Sequence, residues 1–201
     1  RYSDMNTKFI FILGFIIASL WSSVFSQTNA PKYSNEFLTI GVGARNFAMA
    51  NSVLAGVNDV TAGYYNPSGL LGIEKDMEVG LMHSEYFAGI AKYDYLGFAK
   101  RIDENSVAGV SFIRFGTDDI PNTTQLIDKN GNIDYDRITR FSAADYALLL
   151  SYSRKTSSGL ELGGNFKIIH RRIGDFARSW GFGLDVSVNY TYKDWKFAAV
   201  A

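Results

Sequence analysis

The chain has 201 residues, 20 basic and 20 acidic side chains, no cysteine, and 15% aromatic residues. Because nucleic acid is bound by a surplus of positive charge on one face, this balance argues against a nucleic-acid partner. The absence of cysteine excludes a disulfide scaffold and a thiolate metal site. Abundant tyrosine, phenylalanine and glycine with scarce proline occur in soluble β-sandwiches, and more often in transmembrane β-barrels.

The first residues have the pattern of a secretory signal peptide. Lys8 precedes the apolar run 9–20, and small residues follow as far as Ser26. The apolar run is too short to cross roughly 30 Å of hydrocarbon, which needs about 20 residues. We therefore expect a signal peptide over residues 5–26 and an exported protein. We expect residues 1–4 to be translated upstream sequence, and the apolar end at 197–201 to mark a fragment.

Residues 27–76 differ in character from the rest of the chain. Small residues are frequent at 48–62, and residues 47–57 lack the alternation of a strand. Asn58 and Asp59 could cap a short helix. Asn66-Pro67 and Ser68-Gly69 indicate turns. We interpret 27–76 as an N-terminal plug or hatch and first-strand region.

From Met77 onward, strand-length runs alternate with turn signals. The predicted strands cover 77–84, 91–102, 106–116, 142–154, 160–173 and 179–192, and another begins at Lys196. Tight connections alternate with longer ones, of which 117–141 is the longest. This arrangement predicts an all-β fold, an antiparallel up-and-down transmembrane β-barrel, of which 77–201 supplies about seven strands. A soluble exported β-sandwich is the alternative, although several runs exceed the usual 5 or 6 residues of globular strands.

Alternation within the runs separates an apolar face from a polar one. The polar residues that we expect to face a barrel lumen are Glu161, Asn165, Lys167, Asp185 and Asn189. They could tune a channel or hold a plug, or they could form a hydrogen-bonded filling network without a transport role. Leu96 and Phe98 share a face with charged residues in their run, so we expect these two to contact the plug or line an apolar lumen.

The N-terminal segment resembles the signature of FadL-like outer-membrane proteins. Gly43-Ala44-Arg45, a small-residue stretch, Asp59 and then Asn66-Pro67-Ser68-Gly69-Leu70 match that pattern, with Ser68 where Ala is usual. The runs 32–38, 83–87 and 141–146 resemble the PorV/PorQ branch. The candidate plug or hatch residues are therefore Gly43, Arg45, Asp59, Asn66, Pro67 and Gly69.

The resemblance implies a barrel of about fourteen strands in the bacterial outer membrane, in contact with its lipid. It implies a role in type IX secretion, with secretion-system proteins or sorting-domain cargo as partners. A FadL-like channel for uptake of hydrophobic small molecules is the alternative function.

No catalytic constellation is predicted, and neither a cofactor nor a metal is expected. His83 and Ser84 lie on opposite faces of a predicted strand, so they cannot form a nucleophile–base pair directly. The acidic stretch 128–136 has oxygen ligands for calcium, but Ile133 and Thr139 occupy the positions where an EF-type loop needs Gly and Glu. A hairpin turn at Asn130-Gly131 is the better interpretation. The basic run 170–172 could touch phosphates of lipopolysaccharide or be a solvated rim.

Overall fold

The computed structural model describes residues 35–128 and 130–201, so the predicted signal peptide lies outside the described residues. Seven strands follow a helical N-terminal segment. Their bounds are β1 Met77–Tyr86, β2 Ala91–Asp103, β3 Ser106–Asn122, β4 Thr139–Lys155, β5 Glu161–Ile173, β6 Ala177–Tyr192 and β7 Trp195–Val200.

The strands form one antiparallel sheet in which each strand pairs with its neighbours in sequence, in the order β1 to β7. The sheet is curled through 203° and remains open, so that it forms a half-barrel. The antiparallel sheet predicted from the alternation is confirmed. A sandwich needs two packed sheets, whereas the described strands form a single one.

The connection between β3 and β4 is shorter than the sequence suggested. We expected a loop over 117–141, but β3 continues to Asn122 and β4 begins at Thr139, so the connection covers 123–138. The pairing resumes beyond a register shift between Thr117 and Ile120. An irregularity of this kind lets a strand continue past a break in its alternation, and the break was mistaken for the end of the strand. We call this end of the sheet the loop end and the opposite one the turn end.

The segment that precedes the sheet contains four short helices and no strand among its described residues. Glu36–Thr39 and Pro67–Gly72 are 3-10 helices, and Ala44–Ala48 and Ala62–Tyr65 are α-helices. We call residues 36–72 the plug segment. Nowhere in 35–128 or 130–201 is there a helix with the length and apolar character needed to cross a membrane.

The plug segment covers one face of the sheet, which we call the inner face, and the core lies between the two. One apolar cluster joins Phe37 and Val42 to Tyr93, Ile113 and Leu149 of the sheet. A second cluster joins the plug's Val57, Val60 and Leu70 to Ala99 and Val107. Burial of these side chains is what holds the plug segment on the sheet.

Glycines on the inner face allow the plug segment to approach the strands closely. A Cβ on Gly80 would lie 2.6 Å from Cγ1 of Val60, and one on Gly97 would lie 2.9 Å from its Cγ2. Both distances are shorter than a carbon–carbon contact, so Val60 occupies space that only glycine leaves free.

The opposite, outer face carries large exposed apolar side chains on every strand. Leu96 and Phe98 of β2 belong to it, with 45% and 37% of their surfaces exposed. The expectation that they contact the plug or line a lumen is therefore wrong. Tyr93 and Tyr95 occupy the alternate positions of β2, so they point to the inner face and contact the plug segment. Their polar hydroxyls obscured the direction of this strand in the sequence.

Candidate functional site

The five polar residues that we expected to face a lumen all lie on the inner face, on β5 and β6. The register pairs Glu161 with Asn189 and Asn165 with Asp185. Lys167, two residues beyond Asn165, shares its face because strands have a period of two. Asn165 and Asn189 are 3% and 1% exposed, so they lie beneath other parts of the chain.

Asn165 joins the plug segment to three strands. Its amide group donates to the carbonyl of Gly63 over 2.9 Å and to the Asp185 carboxylate over 3.0 Å. The Ser151 hydroxyl of β4 donates to the Asn165 carbonyl oxygen over 2.6 Å. A buried side chain with its donors and its acceptor satisfied adds stability, whereas loss of one partner would leave a costly unpaired group.

Asn66 makes the second polar connection. It is fully buried, and its amide group donates to the carbonyl of Leu54 and to the side-chain oxygen of Asn189, both over 2.7 Å. The backbone N–H of Ser68 donates to the Ser187 hydroxyl over 2.9 Å, and the Ser68 hydroxyl donates to Asn66. We call Asn66, Ser68, Ser151, Asn165, Ser187 and Asn189 the polar cluster.

The remaining lumen candidates surround the polar cluster. Asn189 donates to the Glu161 carboxylate over 3.4 Å. The Lys167 ammonium group pairs with Asp185 over 2.6 Å, and both side chains are partly buried. Each charged side chain therefore has a partner of opposite charge or a hydrogen-bond donor, as low-dielectric surroundings require.

The turn that carries Pro67 lies directly on the backbone of β5. A Cβ on Gly163 would be 2.2 Å from the Ser68 nitrogen and 2.6 Å from the Pro67 carbonyl carbon. Within the plug, a Cβ on Gly69 would be 2.6 Å from the Val57 carbonyl oxygen. Only glycine fits at both positions, so the Pro67 to Gly69 turn is fixed from both sides.

The other residues of the resemblance are dispersed. Gly43, with a φ of 87°, donates its N–H to the Met82 sulfur over 3.1 Å. The Asp59 carboxylate accepts the Thr61 N–H over 2.8 Å, just before the helix that begins at Ala62. Arg45 is exposed, and the structure does not bring it to the polar cluster.

Two tyrosines hold the start of the plug segment, and the sequence analysis missed them. The Tyr64 hydroxyl accepts the Gly41 N–H and donates to the Leu38 carbonyl. The Tyr65 hydroxyl accepts the Val42 N–H over 2.8 Å and donates to Asn51 over 2.8 Å. Burial raises the pKa of Tyr64 to about 12, so its hydroxyl stays protonated at neutral pH. The adjacent pair beside Asn66-Pro67 was a signal, because buried tyrosines need hydroxyl partners.

The histidines and the acidic loop have structural partners. Nδ1 of His83 lies 2.6 Å from Oδ1 of Asp94. The His170 ring stacks on the Trp180 ring, and their centroids are 4.1 Å apart. Asp128 accepts N–H groups of Asn130 and Asn132, which closes a hairpin in the loop. Among the residues that the structure describes, no group of three or more acidic, histidine or cysteine side chains could hold a metal ion.

The outer face has a regular distribution of side chains. Its middle rows are apolar, and we call them the apolar band: Val79, Leu81, Leu96, Phe98, Val110, Phe112, Leu148, Leu150, Phe166, Ile168, Phe182, Leu184 and Val186. Toward the loop end, Tyr146, His170 and Trp180 lie side by side in one row. Toward the turn end, the outer face carries the aromatic side chains of Tyr152, Tyr190, Tyr192, Trp195 and Phe197.

Comparison with known proteins finds no protein-family model that matches the chain, and no curated protein or solved structure that is significantly similar to it. The half-barrel and its covered inner face are therefore described without a family assignment.

Proposed function

We propose that the chain is part of a β-barrel that spans the bacterial outer membrane and binds partner proteins in type IX secretion, as PorV/PorQ-type proteins do. The apolar band, with aromatic side chains toward both of its edges, is the observation that carries the membrane assignment. Aromatic girdles on both sides of an outward apolar band are typical of outer-membrane barrels.

The exposure of the apolar band supports a lipid environment. Leu81, Leu184 and Phe182 are 79%, 74% and 69% exposed. Soluble monomers seldom expose contiguous apolar patches larger than a few hundred Å². This band crosses six strands, so contact with lipid or protein is needed to cover it.

The height of the band matches a bilayer. Trp180 lies toward the loop end and Tyr190 toward the turn end of the outer face of β6. At about 3.3 Å per residue and a tilt of about 40°, the strand between them rises about 25 Å, the usual height of the apolar zone of such barrels.

The curvature supports closure into a barrel of ordinary size. Seven strands turn through 203°. Seven strands make six steps from one strand to the next, so at the same curvature a full turn takes about eleven strands, fewer than the fourteen that the resemblance implies.

The secretion role rests on the resemblance in residues 43–70 and in three other runs, and the loop end is the surface that would meet partners. Loops at this end of outer-membrane barrels face the exterior. The connection 123–138 is the longest between described strands. Ile127 and Ile133 of its hairpin and Tyr135 of the 3-10 helix Tyr135–Arg137 are 66%, 58% and 71% exposed. Exposed apolar side chains on a loop are suited to protein contacts.

Affinity purification from native outer membranes tests the secretion role. We expect the tagged, membrane-embedded protein to bring down translocon components or sorting-domain cargo. Replacement of 124–137 by a short Gly/Ser linker should abolish this, whereas the same linker inserted at Ser157-Ser158 on the turn end should not. Failure of the unaltered protein to retain any secretion component would contradict the role.

A channel for hydrophobic small molecules is the second candidate function. The inner face beneath the plug segment is apolar around Tyr93, Ile113 and Leu149. Displacement of the plug segment would expose this surface to an apolar solute. Lost uptake of a hydrophobic solute on gene deletion, with no secretion partner recovered, would favour this function over secretion.

A further inference from the structure

Outward-facing arginines gather at the loop end of the outer face. Arg140 of β4 and Arg172 of β5 line a cavity of about 460 Å³ together with Arg114 of β3. Arg178 of β6 pairs with Arg172 across the sheet. We call Arg140, Arg172 and Arg178 the arginine cluster.

Small residues lie in and beside the lining of this cavity. Ala144 lines it between Arg172 and Gly116, its register partners on the two neighbouring strands. With no large side chain on β3 or β4 in this row, the outer surface is recessed beside the guanidinium group of Arg172. The recess in the outer face therefore lies next to the positive charge of Arg172.

The arginine cluster retains hydrogen-bonding capacity that carboxylates do not satisfy. Arg140 donates to the backbone carbonyl of Asp119 over 3.2 Å rather than to a carboxylate. The carboxylate of Asp175 is 3.5 Å from the Arg172 guanidinium group, but the Asp175 side chain is 93% exposed. Water therefore screens this ion pair. Within the part of the chain that the structure describes, Arg178 makes no ion pair.

Arg114 differs from the cluster because its charge is already balanced. It pairs with Asp118 over 3.0 Å and with Asp94 over 3.6 Å. We therefore assign it to the wall of the cavity rather than to the binding groups.

The arginine cluster also has a defined depth relative to the apolar band. Tyr146, His170 and Trp180 form the row directly below it, and stacking fixes the His170 ring between the other two. Leu148 and Ile168 follow below this row. A ligand that places anionic oxygens at the arginines could thus lay hydrocarbon chains on the apolar band.

We infer that the arginine cluster binds phosphate groups in the headgroup of a lipid of the outer leaflet. The planar guanidinium group matches phosphate oxygens in a bidentate geometry, and basic pockets beside membrane-spanning segments bind anionic headgroups. At the turn end, Lys100 and Arg154 face outward on strands that are not neighbours, and Lys193 lies over the ring of Tyr192. This inference rests on the proposed function, because it requires the band to lie in the bilayer with the loop end outside.

Binding of bisphosphorylated lipid A to the full-length protein tests this inference. The protein is purified in a neutral detergent and titrated with the lipid, and Trp fluorescence reports binding because Trp180 lies two residues from Arg178 on the same face of β6. We expect R140Q/R172Q to raise the Kd at least about tenfold, as loss of two charge-assisted contacts requires. The matched variant K100Q/R154Q should stay within about twofold of the unaltered protein.

Three further measurements decide among the outcomes. Dephosphorylated lipid A should bind the unaltered protein as weakly as lipid A binds R140Q/R172Q, and inorganic phosphate should not displace lipid A. Full displacement by phosphate, or an unchanged Kd for R140Q/R172Q, would overturn the inference. Carbonate-resistant association with bilayers is measured on the same preparations. Insertion with unchanged lipid affinity contradicts this inference alone, whereas failure to insert contradicts the proposed function as well.

Discussion

Gly163 is the position at which the plug segment and the sheet come closest. A methyl group there would lie within 2.6 Å of two backbone atoms of the Pro67-Ser68 turn, and backbone cannot move aside as a side chain can. Its neighbour Gly164 faces the other way, and a methyl group there would meet nothing nearer than the Asp185 carbonyl oxygen at 3.4 Å. The two adjacent glycines therefore form a matched pair.

We expect Gly163→Ala to destabilise the protein by about 1–3 kcal/mol, because overpacking of a well-packed contact costs this much. Gly164→Ala should change the stability by less than about 0.5 kcal/mol. Denaturant unfolding measures both variants, and limited proteolysis reports whether the plug segment is released. Equal effects of the two substitutions would show that the turn does not lie on β5 as described.

Tyr64 links the stability of the plug segment to pH. Its folded-state pKa of about 12 exceeds the ordinary value near 10. The unfolded chain therefore loses this proton first as the pH rises. The contribution of protonated Tyr64 to the free energy of unfolding is fully present below about pH 10. It is lost as the pH rises through the folded-state pKa of about 12.

We expect thermal stability to fall between about pH 10 and pH 11.5, and to fall less in Tyr64→Phe, which has no phenolic proton to lose at this position. Tyr135→Phe, at an exposed position in the β3–β4 loop, serves as the control and should follow the unaltered protein. A fall of the same size in Tyr64→Phe would exclude Tyr64 as a source of the pH dependence.

At the scale of elements, period-2 alternation located the strands well but did not fix their faces or ends. On β6 the large apolar residues alternate strictly with small and polar ones, so the outer face of this strand could be read directly from the sequence. On β2 both faces carry aromatic residues, and the side that contacts the plug segment emerges only from the tertiary contacts of Tyr93 and Tyr95. The extension of β3 beyond Thr117 depends on pairing with β4, which no local pattern encodes.

The plug segment was the least predictable element. Its lack of alternation indicated that it was not a regular strand, and the Asn66 turn was visible from its residues. The partners Asn189, Ser187 and Asn165 lie more than 100 positions away in the chain, so the polar cluster could not be assembled from sequence spacing. An adjacent pair of tyrosines indicates hydroxyl groups that need partners, but it does not identify those partners, so the contacts of Tyr64 and Tyr65 were missed.

The outer face of β6 offers a test that separates lipid from water. Leu184 lies near the middle of the strand and is 74% exposed, whereas Tyr192 lies at its turn end. We expect Leu184→Arg to destabilise the bilayer-embedded protein by about 2–4 kcal/mol, and Tyr192→Arg by about 0–1 kcal/mol. Unfolding of the protein reconstituted in bilayers measures both. In a water-exposed sheet the two substitutions would be equally mild.

At the scale of the whole molecule, the half-barrel has two faces with different roles. The inner face is covered by the plug segment, and its polar groups are hydrogen-bonded in the polar cluster. The apolar side chains of the outer face are not covered by any other described part of the chain. The number of strands could be predicted from the sequence, but the curl of 203° could not, because curvature follows from register and packing rather than from strand count.

The chain has no cysteine, so single cysteines placed along 180–190 can each carry a spin label, and collisions with oxygen and with a water-soluble nickel complex can be compared in reconstituted bilayers. The membrane-spanning assignment predicts alternation. Labels at even positions collide mainly with oxygen, which concentrates in lipid, whereas labels at odd positions, on the inner face, collide with it less. Frequent collisions with the nickel complex at positions 182, 184 and 186 would place the apolar band in water and contradict the assignment.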